Sequence, residues 1–364
     1  MKIADIIACI EDFAPKSYQE SYDNAGLIIG NAKNECTGVL ICLDSIESVI
    51  DEAIAKNMNL VVAHHPIIFS GIKQIVGKNY IERIIIKAIK NDIAIYAAHT
   101  NLDNMQNGVN ARIGEKLGIK NSKILQPKSK VLKKLYTYIP TTHTQNVAQK
   151  LFEAGAGNIG NYSECSFTIN GKGTFLPNEN ANPTLGKKLE RHTQNEDKLE
   201  VLFPFHLEQK ILNTLFQNHP YEEVAYEIIT IDNKNQTIGS GMIGELDKPM
   251  NETDFLYFVK QQLNTKCIRY TALQNKPIQK VAWCGGAGNF LLGDAIAHQA
   301  DVFISGDFTY HKFFGADNQI IIMDIGHYES EQFTSEIFLD ILTKKFRNFA
   351  IQISENNTNP INYI

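Results

Sequence analysis

The chain has no run of about 18 apolar residues, so no part of it reads as a helix crossing a bilayer. It also lacks any block of lysine or arginine, and its net charge is −5. A nucleic-acid or membrane-surface footprint is therefore not indicated. The six cysteines, Cys9, Cys36, Cys42, Cys165, Cys267 and Cys284, include no Cys-x-x-Cys pair and read as reduced, mostly buried thiols. The start, Met1-Lys2-Ile3-Ala4-Asp5, carries an acid where a signal peptide would be apolar. Both features predict a cytoplasmic protein. A P-loop is missing too, so the sequence locates no phosphate cradle.

What is present is 364 residues of soluble, globular composition, 43% hydrophobic and 21% charged. That length exceeds one ordinary core and predicts two or three domains. The organising stretch is Leu60-Val61-Val62-Ala63-His64-His65-Pro66, a short apolar run that ends in two imidazoles and a proline. Such a run reads as a buried strand of a parallel sheet, where ligands collect at the carboxyl ends. Two further runs have the same form. Ile93–Ala98 leads to His99 and Asp103, and Ile320–Gly326 leads to His327 and Glu331. Three buried strands ending in histidine and carboxylate predict one metal centre assembled from distant parts of the chain.

An internal echo relates the two ends of the sequence. Val39-Leu40-Ile41-Cys42 matches Val281-Ala282-Trp283-Cys284 at an offset of 242 residues, and the same offset places Leu60–Ala63 on Val302–Ser305. His99 and Asp103 fall on His327 and Glu331 at an offset of 228. Between these halves the pattern changes to β-α-β-β-α-β over about 131–237, the order of a ferredoxin-like module. Within it, Thr142-His143-Thr144-Gln145 reads as a capping box, and the polar stretch 178–198 as a solvated loop. The expected fold is α/β: two related α/β half-domains, 1–130 and 238–364, facing each other around a dinuclear metal site. An inserted ferredoxin-like α+β domain occupies 131–237.

Successive side chains on a strand point to opposite faces, so His64 and His65 suit two ions better than one. His327 and Glu331 lie one helical turn apart on one face, with Glu329 pointing away and expected in solvent. Imidazole plus carboxylate suits Zn, Mn, Fe or Co, and a carboxylate can bridge two such ions. His143, His192, His206, His219 and His298 read as structural or solvated.

Several motifs together resemble one family. They are Tyr22-Asp23-Asn24-Ala25-Gly26-Leu27, Ala63-His64-His65-Pro66, His99-Thr100-Asn101-Leu102-Asp103, Gly285-Gly286-Ala287-Gly288, Ser305-Gly306-Asp307 with His311, and Gly326-His327-Tyr328-Glu329-Ser330-Glu331. In this order they are similar to the GTP cyclohydrolase 1 type 2 homologues, also called the NIF-three-like family. The resemblance implies two divalent metal ions per subunit, held by His64, His65, Asp103, His327 and Glu331. It also implies a ring-shaped homohexamer. The middle segment resembles the nitrogen-regulator or copper-tolerance type of module, with His219-Pro220-Tyr221-Glu222 as its most telling fragment.

His99 and His311 are not needed as ligands and are candidates for a general acid/base or for outer partners of the ligands. The expected activity is metal-dependent hydrolysis of a nucleotide or phosphoester. The alternative is a non-enzymatic metal-binding or regulatory assembly whose inserted module senses a small ligand.

Overall fold

The structure, a computed structural model, describes residues 1–364. The chain divides into two compact units: Met1–Pro127 together with Gln236–Ile364, and Lys128–Asn235.

The first unit is built on two sheets. One orders its strands Gly26–Ile29, Ala94–Ala97, Leu60–His65, Val39–Asp44 and Ile351–Ile353. The other runs Arg269–Tyr270, Ile321–Asp324, Val302–Ser305, Ile278–Trp283, Asn235–Met250 and Lys120–Lys128. The first sheet has four adjacent parallel strands and the second three, and in each an antiparallel strand pairs with the end of the parallel run, at Ala94–Ala97 and Ile321–Asp324. Helices Glu47–Ala55 and Tyr80–Lys90 supply the crossovers in the first sheet. In the second, Leu292–Ala297 and the 3-10 stretch Tyr310–Ala316 do the same.

The strand registers carry the internal echo into three dimensions. Val39, Leu40 and Ile41 pair with Leu60, Val61 and Val62, and Val281, Ala282 and Trp283 pair with Val302, Phe303 and Ile304. Alternation along these strands explains why their sequences are apolar throughout. Val39, Ile41, Leu60, Val62, Ala94 and Tyr96 share one core with Val281, Trp283, Val302, Ile304, Ile321 and Met323. Their neighbours Leu40, Val61, Ala63 and Ile95 pack on the other face with Val49, Ile50, Ile84 and Ile85 of the crossover helices. Ala282, Phe303 and Ile322 do the same around Leu291 and Ala295. Both faces of each sheet are therefore covered, and the open ends of the strands are left for polar side chains. None of the helices is long and apolar enough to cross a membrane.

The second unit is an antiparallel sheet ordered Ser166–Phe175, His192–Pro204, Leu132–Pro140, Tyr226–Ile231. Helices Thr144–Glu153 and Glu208–Asn218 cover one face, where Val147, Leu151, Ile211 and Leu215 meet Leu135, Ile139, Leu199, Val201 and Phe203. Two local expectations are corrected here. The strand that ends at Pro204 begins at His192, so the last third of the polar stretch is ladder rather than loop. Its residues pair with Ser166–Phe175 through a backbone ladder, and a segment polar on both sides gives no hydrophobic alternation to read. Thr142 does not cap its helix. The N-cap is His143 without a side-chain cap, and the Thr144 hydroxyl donates instead to Asp197 at 2.8 Å.

Candidate metal centre

His64 and His65 close the Leu60–His65 strand, as the apolar run and the following Pro66 require. His99 is the N-cap of the single helical turn Thr100–Asp103, and His327 opens the short helix His327–Glu331. These elements bring four imidazoles and two carboxylates together at the strand ends. The ring centroids of His64 and His65 are 4.8 Å apart, and His99 lies 5.3 Å from each. His327 lies 5.3 Å from His65.

Each imidazole is held through Nδ1 by an oxygen that can only accept. His64 donates to the Ala98 carbonyl at 2.9 Å, and His65 to Asp44 Oδ1 at 2.7 Å. His99 donates to Asp23 Oδ1 at 2.8 Å, and His327 to Asp307 Oδ2 at 2.7 Å. In the neutral tautomer this fixes, Nε2 keeps its lone pair in all four rings. Glu331 is the hub they meet. Its Oε2 lies 3.0 Å from both His65 Nε2 and His327 Nε2, and 3.8 Å from His64 Nε2.

The buried polar atoms test whether this arrangement fits a metal. His64 is fully buried, yet its Nε2 has no hydrogen-bond partner, and Asp103 Oδ1, 3.5 Å away, has none either. Leaving a buried polar atom unpaired costs about 1–3 kcal/mol, so two such atoms side by side call for a shared partner. Three groups of donor atoms lie within 4.8 Å of one another: His64, His65 and His99; His65, His327 and Glu331; and His64, Asp103 and Glu331. The residues fit a metal ion.

The charges agree with a cluster built to receive cations. Burial pushes the Asp103 carboxyl up, against the pull of His64 and with a further push from Glu331. Burial also opposes the charge of Glu331, but His327, His64 and His65 hold it well below the usual carboxylate range. His65 is buried as well, yet hydrogen bonds to Asp44 and Glu331 raise it to about 10. The same balance, with Glu331 and Asp307 as partners, takes His327 to about 11. The cluster opens into a cleft of about 520 Å³ with three exposed aromatic rings, Tyr22, Phe69 and Phe290, in its lining.

A family model for Duf34/NIF3 (NGG1p interacting factor 3) matches residues 1–360. The chain belongs to the Duf34/NIF3 family. It is 38% identical over 366 residues to a Bacillus subtilis protein named GTP cyclohydrolase 1 type 2 homolog, covering 99% of this chain and 98% of that one. A Staphylococcus epidermidis protein of the same name is 37% identical over 368 residues, with both chains fully covered. Among solved structures, a Bacillus cereus protein related to NIF3 superposes with a TM-score of 0.88 at 37% identity, over 100% of this chain and 99% of that one. A Staphylococcus aureus protein gives a TM-score of 0.80 at 32% identity, again over 100% and 99%.

In this NIF3 chain the structure gathers His64, His65, Asp103, His327 and Glu331, with His99 as a sixth member. His311 is not among them. It is exposed in the Tyr310–Ala316 stretch, its ring beside Tyr310 and Phe314. Glu329 does not reach solvent as expected. It is 4% exposed, and its Oε1 accepts from Asn359 Nδ2 at 3.1 Å. The C-terminal segment folds back over it, which the helical spacing of His327 and Glu331 could not reveal. Reading strand ends also missed the supporting carboxylates Asp23, Asp44 and Asp307. Asp44 carried a signal, since it is the cross-strand partner of His65 in the parallel register.

Proposed function

We propose that this NIF3 chain holds two divalent metal ions in the first unit and uses them in hydrolysis of a nucleotide or phosphoester. The observation that carries the reading is a shared orientation: four imidazoles have Nδ1 on an oxygen, and Nε2 of His64, His65 and His327 lies within 3.8 Å of Asp103 or Glu331. Glu331 belongs to two donor groups, with His65 and His327 in one and His64 and Asp103 in the other, so it would serve both ions. Histidine with carboxylate suits Zn, Mn, Fe or Co. When bound, such a pair lowers the pKa of water towards 7 and polarises a substrate oxygen.

The chain's own residues supply the rest. His99 faces the cluster, while Asp23, its carboxylate held to about 2 against burial by His99 and Thr100, fixes the ring. His99 is thus positioned to take up a proton at Nε2 during attack on substrate. The exposed rings of Tyr22, Phe69 and Phe290 offer planar surfaces to a base. The relatives' name supports a nucleotide. The strand and helix order of the second unit supports a ferredoxin-like fold. The family resemblance supports a cytoplasmic homohexamer, which light scattering reporting a single-chain mass would exclude.

The test is a panel of nucleotides and phosphoesters presented to metal-loaded protein. Turnover that disappears in Glu331→Ala and His65→Ala supports the hydrolase. Full metal occupancy without turnover on any member assigns a binding or regulatory role instead.

A further inference from the structure

The second unit has a cavity of its own, of about 410 Å³, whose lining includes Tyr138, Phe175, Leu185, Glu196 and Tyr221. Volumes of this order hold small organic ligands. Its polar feature is Glu196, on the His192–Pro204 strand and only 8% exposed. Carboxylates are rarely buried without a purpose or a partner. Glu196 has one partner: Tyr221 donates its hydroxyl to Oε1 at 2.7 Å. Oε2 accepts no hydrogen bond and stays open to the cavity.

The neighbours hold this carboxylate where it is. A Cβ on Gly173 would stand 1.9 Å from Glu196 Oε2, so only glycine leaves room for it. His219, also buried, donates Nε2–H to the Tyr138 carbonyl at 3.0 Å and accepts the Tyr221 N–H on Nδ1 at 3.1 Å, which fixes the loop bearing Tyr221. The His219-Pro220-Tyr221-Glu222 fragment thereby becomes a wall. Burial and the hydrogen bond to Glu196 push the Tyr221 phenol well above its ordinary range. The Phe175 ring stands 5.9 Å from that of Tyr221.

We propose that this cavity binds a small cation, an ammonium or amidinium group carried on an aromatic or aliphatic body, with Glu196 as its counter-ion. The charge of the lining sets the sign. Glu222 and Glu223 join Glu196 there, and no lysine or arginine does. An anion of the same shape would meet three carboxylates and no donor of charge. The aromatic walls suit the body of the ligand and the face of a cation alike. The site is independent of the metal centre, since every residue in it lies within Lys128–Asn235.

Titration of the intact protein with benzamidine, and with benzoate as the anion of similar shape, tests this by calorimetry and ligand-observed NMR. Benzamidine should bind saturably and benzoate should not. Glu196→Gln and Gly173→Ala should each weaken benzamidine by about tenfold or more, the usual worth of a charge-assisted bond. Tyr221→Phe, which removes the donor on Oε1 and keeps the ring, should leave binding equal or tighter. Circular dichroism and unchanged metal content identify folded variants. If Glu196→Gln does not fold, Leu185→Trp fills the cavity from its wall and should abolish binding. Equal binding of benzoate, indifference of benzamidine to these variants, or no saturable binding at millimolar concentration would overturn the proposal.

Discussion

The Nε2 atoms of His65 and His327 lie 3.4 Å apart, although the residues are separated by 262 positions in sequence. Each ring is pinned from behind by an aspartate, Asp44 or Asp307. Such closeness asks for positive charge between or beside the two rings, a proton or a cation, and Glu331 closes the third side. The arrangement makes definite demands on variants.

Glu331 is shared by both donor groups that contain a carboxylate, so Glu331→Ala should empty both sites. His65→Ala should chiefly cost one ion per chain. Loss of a ligand should weaken binding by well over the tenfold typical of an outer partner. Elemental analysis after gel filtration reads the stoichiometry. A Glu331→Ala protein that keeps two ions would remove the bridge.

The aspartates behind the rings should matter without touching metal. Asp307→Asn and Asp44→Asn each take a negative charge from an imidazole Nδ1–H held at 2.7 Å. The expected loss is about 10–100-fold in metal affinity, with the fold intact. Competition against a chelator measures it, and affinities equal to wild type would count against the support.

Gly286 tests the packing of the hub. Its φ is +61°, and a Cβ there would lie 2.4 Å from Glu331 Oε1. Gly286→Ala adds backbone strain of about 1 kcal/mol and pushes the carboxylate aside. Metal occupancy should therefore fall more steeply than thermal stability. Unchanged occupancy in a folded Gly286→Ala protein would show that the carboxylate can yield.

The C-terminal segment should loosen in acid. Burial opposes the charge of Glu52, but Lys56, Ser354, the Glu355 N–H and Asn356 bring its carboxyl down to about 2 from an ordinary value of 4.5. A lowered pKa contributes stability that is complete above 4.5 and lost as pH falls towards 2. Hydrogen exchange of residues 351–358 should accelerate over that window, and Glu52→Gln should show the same at neutral pH. Thr358 donates to Asp44 at 2.8 Å, so the loosening should reach the support of His65.

The three strands that deliver the metal-centre residues were legible because both faces of each sheet are covered, which turns a strand into an apolar run with an abrupt polar end. The relation between the halves was legible for the same reason: Val39–Ile41 and Val281–Trp283 occupy the same register position. Side chains that act through another side chain left weaker traces. Asp307 and Asp23 lie outside helices and strands, where no periodicity says which way a carboxylate points. Glu329 looked solvated because helical spacing describes one helix and not the tail that covers it. The strand residues His192–Lys198 escaped notice because a backbone ladder needs no apolar side chain.

The repeat also has a mechanical consequence. Under the offset that superimposes the halves, His64-His65 falls on Gly306-Asp307, so the two copies no longer carry equivalent chemistry. The first supplies most of the donors, and the second supplies His327, Glu331 and a brace. Neither could assemble the centre alone. An ion held there would act as a rivet between segments that the Lys128–Asn235 unit separates along the chain, closing a long loop that folding must otherwise close by apolar contact. Stripping it should make the two ends of the chain part company first.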